Sequence, residues 1–146
     1  MNPGLYLLIK LVAYCFWCYI GLRLFRPEQN KYLGAALRFG ILRLFLGFFF
    51  GVSILFLGLF WNHTFGSGLP QNVMTYLLAY VPVRWIEWTI MAALLTPGLL
   101  RTPHWFIGNT GRDQLWRFGG IVISCIADIP FIVMFDGPIP TGRFLC

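Results

Sequence analysis

The sequence predicts an all-α integral membrane protein, a bundle of four transmembrane helices with both termini outside and basic hairpin loops in the cytoplasm. Three observations predict it. Of 146 residues, 58% are hydrophobic and 11% are charged, against roughly 25% charged in an ordinary soluble domain. A chain this small has too much surface for its volume to hide that apolar content from water. The apolar residues also fall in four long runs, with basic residues gathered at the run ends. A hydrocarbon core of ~30 Å takes about 20 apolar residues in a helix. The length allows one domain, residues 1–146.

The first helix is expected at about residues 4–22. Pro3 suits a first helical turn, and Arg23, Arg26 and Pro27 stop the helix. The start lacks a basic leader, and Lys10 interrupts the apolar stretch, so it reads as a retained helix rather than a cleaved signal. The second helix is expected at about 41–61, with an uncharged heart from Leu44 to Trp61. A start as early as Glu28 would make Lys31, Arg38 and Arg43 an interfacial ramp, their long side chains reaching to the headgroups. Residues Asn62 to Asn72, rich in Gly, Ser, Pro and Asn, read as a loop.

The third helix is expected at 73–95, with Arg84 and Glu87 near its middle and Thr96-Pro97-Gly98 at its end. Arg101 to Arg117 is polar and basic, and its Trp105, Phe106 and Trp116 suit an interface. The fourth helix is expected at 118–135. It contains Asp128, and Pro130 is a candidate kink. The Pro- and Gly-rich tail from Asp136 should lie over the surface.

The net charge of +6 does not imply nucleic acid, because the basic residues flank apolar runs. It sets direction instead. Arg23, Arg26 and Lys31 lie in the first connection, Arg101, Arg112 and Arg117 in the third, and none in the second. Basic loops stay inside, so connections one and three are cytoplasmic. The expected partners are membrane lipids, together with a protein partner or further copies of the chain. Low Lys, high Arg and short loops fit a bacterial inner (plasma) membrane.

Four charges fall deep inside the predicted helices, away from their ends: Lys10, Arg84, Glu87 and Asp128. Their formal charges cancel. An uncompensated charge at bilayer depth costs at least ~2.5–3.5 kcal/mol, so all four should face inward and satisfy one another or a ligand. Arg84 and Glu87, three residues apart, share a helix face and can pair. Tyr76 and Tyr80 lie on that face, and Trp85 and Trp88 flank it. Such rings can line a cation site, and they serve equally as helix and lipid contacts. Residues 84–97, with Arg84-Trp85-Ile86-Glu87-Trp88 and Leu94-Leu95-Thr96-Pro97, locally resemble the third helix of microbial rhodopsins. That family has seven helices and a retinal-bearing Lys in the last. This chain has only Lys10 and Lys31, both early. The likeness therefore implies a shared way of burying an Arg–acid pair, and no cofactor.

Gly40, Gly47, Gly51 and Gly58 nearly coincide in angle around the second helix. Gly47-x-x-x-Gly51 permits close approach of another helix, as an internal seam or an interface between copies. Cys15, Cys18 and Cys125 lie in apolar runs, where thiols pack as small hydrophobes. Asn62-His63-Thr64 matches a glycosylation acceptor too close to the expected membrane edge for use. No phosphate loop, nucleophile elbow, dinucleotide fingerprint or zinc-protease motif is present. The expected function is a non-enzymatic accessory or partner-binding subunit with a buried neutral charge network. The alternatives are an oligomeric transporter or channel using Arg84, Glu87 and Asp128, and a lipid-binding protein or enzyme near the outer leaflet using Glu87, Asp128 or His63.

Overall fold

The structure, a computed structural model, describes residues 3–28, 31–65, 73–96 and 98–134. Among them are helices α1 (Pro3–Phe25), α2 (Tyr32–Phe65), α3 (Val73–Leu95) and α4 (Gly111–Met134), with a short 3-10 turn at Leu99–Arg101. No strand occurs among the described residues.

Each helix has a buried stripe at helical spacing. In α1 it is Tyr6, Lys10, Tyr14, Cys18 and Leu22, one residue per turn. In α2 it is Ala36, Gly40, Arg43, Gly47 and Gly51. The other faces carry large apolar side chains open to the surroundings, including Leu8, Val12 and Phe16 on α1 and Phe45, Phe48 and Phe49 on α2.

Helix α2 is longer than expected. It has 34 residues, about 51 Å at ~1.5 Å per residue. It begins inside the basic ramp and takes Asn62 to Phe65, expected in the loop, as its last turn. The rest of that loop and the C-terminal tail lie outside the described residues. Helix α4 begins earlier than its apolar run because residues 109–113 form a cap. The Asp113 N–H donates to the Thr110 hydroxyl at 3.2 Å, and the Asn109 N–H donates to Asp113 Oδ2 at 3.2 Å. A carboxylate in the first turn also suits the helix dipole. The stretch that reads as an interfacial loop is thus partly the first two turns of a helix. α3 runs through Pro82, and α4 through Pro130.

Among the described residues, two stretches are long and apolar enough to cross a membrane by length and composition, Gly4–Phe25 and Tyr32–Ser53. The sequence reading expected four.

Helix α1 packs against the other three, and α3 also packs against α2 and α4. Sequence neighbours run antiparallel. A Cβ on Gly40 of α2 would collide with Cys15 Sγ of α1 and come within 3.0 Å of its backbone nitrogen. The glycine stripe therefore faces α1 at this point. Gly47 and Gly51 are buried as well, while the surroundings of Gly58 lie outside the described residues. At Gly40 the stripe is thus buried against α1.

Helices α1 and α4 clasp each other reciprocally. The Trp17 indole N–H donates to the Trp116 carbonyl at 2.9 Å, and the Trp116 indole N–H donates to the Trp17 carbonyl at 3.2 Å. Each ring lies on a glycine of the other helix: a Cβ on Gly119 would collide with the Trp17 ring, and one on Gly21 would lie 2.7 Å from the Trp116 ring. Arg26, in the first connection, donates to the carbonyls of Leu95 and Leu94 at 2.6 and 3.0 Å. A cation thus caps the C-terminus of α3, where the helix dipole favours it, and ties connection one to the end of α3.

Candidate functional site

The four inward-facing stripes place charged residues at one level. Lys10 Nζ lies 2.7 Å from Asp128 Oδ1, and the Tyr6 hydroxyl donates to the same oxygen at 2.8 Å. Arg84 Nη1 lies 2.8 Å from Glu87 Oε2, and Arg84 Nη2 lies 3.8 Å from Asp128 Oδ2. Arg84 therefore links the two carboxylates. All four charges of the sequence reading, Lys10, Arg84, Glu87 and Asp128, meet in one cluster.

A fifth residue joins them. Arg43 of α2 is fully buried, and its Nη2 lies 2.5 Å from Glu87 Oε2. The guanidinium carbon sits 4.8 Å from the Tyr14 ring centroid and 5.0 Å from the Trp88 ring. The sequence reading placed Arg43 on the interfacial ramp. Its linear position, just before the apolar heart of α2, suggested that. Its angular position decides otherwise, because Gly40, Arg43, Gly47 and Gly51 follow at spacings of three, four and four, on one face. The small residues around Arg43 let its side chain pass between helices and enter the interior.

Among the described residues the cluster holds three cations, Lys10, Arg43 and Arg84, and two carboxylates, Glu87 and Asp128. Removing ions from water costs several kcal/mol each, recovered only by close pairing and hydrogen bonds. Glu87 and Asp128 are each held by two cations, so both carboxylates are committed.

The aromatic residues divide. Trp88 is fully buried and donates to the Ser124 hydroxyl at 3.3 Å, with its ring edge-on to Tyr14 and Trp116. Trp85 turns toward the connection and donates to the Phe106 carbonyl at 3.1 Å. The side chains of Tyr76 and Tyr80 lie outside the described residues. Tyr14 and Tyr6, not singled out in the sequence, do line the cluster. Their i, i+4 register with Lys10 was the available signal.

A second buried polar group lies toward the third connection. Arg117 donates from Nε and Nη2 to the two Asp113 oxygens, each at 2.8 Å. It also donates to the Thr89 hydroxyl at 2.9 Å and to the carbonyls of Phe106 and Trp105 at 2.8 and 2.9 Å. All five guanidinium N–H groups are thereby used. This Arg folds the third connection onto α3 and α4. In sequence it falls among the loop charges, but Asp113 four residues earlier places the pair on one helix face.

Cys18 is buried, and Cys15 and Cys125 are half-buried. His63 is exposed near the end of α2 and His104 is exposed in the third connection, so neither reaches the cluster. Among the described residues no group of three or more His, Cys, Asp or Glu side chains could hold a metal ion. Comparison with protein-family models, with curated proteins and with solved structures finds no match.

Proposed function

We propose that the chain is a small polytopic membrane protein, a bundle of four spans with its termini outside, acting as a non-enzymatic accessory or partner-binding subunit. One observation carries the membrane reading. The polarity of the molecule is inverted: Lys10, Arg43, Arg84, Glu87, Arg117 and Asp128 are buried, while Leu8, Phe45, Phe49, Phe118 and Ile126 are exposed. In water that arrangement exposes the groups whose burial drives folding. In lipid it is the economical one, since tails solvate apolar faces and ion pairs turn inward. On composition, a bacterial inner membrane is the proposed location.

The subunit reading is supported by the state of the two carboxylates. A general acid or base needs a carboxyl group free to exchange a proton with substrate, and here each is held by two cations. The cluster then serves to fix four helices relative to one another, leaving apolar outer faces for lipid and a partner's helix. Native mass spectrometry of the membrane-extracted protein tests this. The expected result is a foreign chain bound at fixed stoichiometry, and recovery only as a monomer or homo-oligomer would overturn it. An oligomeric transporter or channel is the second reading, favoured by the buried Arg43 donors Nε and Nη1, which lack hydrogen-bond partners among the described residues. It predicts that Glu87→Gln abolishes ion flux in a protein that still folds.

A further inference from the structure

Arg43 and Arg117 are both fully buried arginines, and they differ in one respect. Arg117 has acceptors for all five donors. Arg43 donates from Nη2 to Glu87, and its Nε and Nη1 have no hydrogen-bond partner among the described residues. The hydroxyl of Tyr14, whose ring packs on this guanidinium, also lacks one. Both side chains are at least 99% buried. An unsatisfied donor on a charged group is among the costlier defects of an interior, and the ring faces of Tyr14 and Trp88 offset only part of it. Arg43 also shares its one carboxylate, Glu87, with Arg84.

We propose that Arg43 and Tyr14 form a binding site for one small monovalent anion of the halide type, held between α1 and α2. Arg43 shares its one carboxylate with Arg84, so a single negative charge would complete its pairing. The donors are few, and the rest of the surroundings are aromatic. That suits a halide, which accepts from N–H and O–H in any direction, over a phosphate or sulfate, whose several oxygens would stay unmatched. The inference rests on the cluster being the interior of a membrane protein, as proposed above.

The test is thermal unfolding of the purified full-length protein in detergent, titrated with sodium chloride or bromide against sodium gluconate at constant ionic strength. A ligand that binds only the folded state raises the midpoint saturably. Wild type should gain about 4 °C or more at saturating halide and none from gluconate. Tyr14→Phe keeps every charge and the ring, and should need roughly tenfold more halide for half the effect. Arg43→Gln should lose the response. Equal unfolding in halide and gluconate would overturn the site, as would a halide response unchanged in Tyr14→Phe. Should Arg43→Gln not fold, the Tyr14→Phe titration decides alone. A failed titration leaves the membrane topology standing, and topology is read separately by labelling in membranes.

Discussion

Glu87 is the residue on which the interior turns, because one oxygen serves both Arg43 and Arg84. Glu87→Gln should lower stability by about 3–5 kcal/mol, the usual cost of stranding a buried charge, read as a lower unfolding midpoint in detergent. Two cations depend on that carboxylate, so adding Arg84→Gln should recover only part of the loss. A simple Arg84–Glu87 pair would show full recovery. The pairing of Arg84 with Glu87 was legible from their three-residue spacing, and the inward turn of Lys10 and Asp128 from the cost of charge in lipid. The membership of Arg43 was not, because hydropathy along a chain records depth while helix angle decides direction. The buried stripe at 36, 40, 43, 47 and 51 held that information.

At the scale of elements, close helix approach depends on glycines facing large groups. Gly40→Val would drive a branched side chain into Cys15 and the α1 backbone, and should cost about 1–3 kcal/mol through overpacking. Gly34, whose Cβ would meet nothing within 4 Å, should accept Ala without loss, which makes it the control in the same melts. In the clasp of α1 and α4, Trp17→Phe removes the indole N–H and the benzo edge that lies on Gly119. It should cost more than the about 0.5–1.5 kcal/mol of one hydrogen bond and less than the roughly 3–5 kcal/mol of Trp17→Ala. Helix existence was legible from apolar runs. The ends were not, since the start of α4 is set by the Thr110–Asp113 cap and the extension of α2 runs through residues of loop-like composition. The tryptophan–glycine clasp had no sequence signal, because it joins residues 99 positions apart.

At the scale of the whole molecule, three facts join. The interior is charged and paired, the exterior is apolar, and the exposed basic residues Arg23, Lys31, Arg38, Arg101 and Arg112 flank the two connections tied together by Arg26. Those connections share one side, so a four-span topology places His104 with them and His63, near the far end of α2, opposite. The measurement that tests this most directly is labelling of single cysteines by a membrane-impermeant thiol reagent in intact cells. Cys15, Cys18, Cys125 and Cys146 are first replaced by alanine. His63→Cys should label in intact cells, and His104→Cys only after the membrane is opened. Labelling of both from the same side, or of His104→Cys alone in intact cells, would contradict the account.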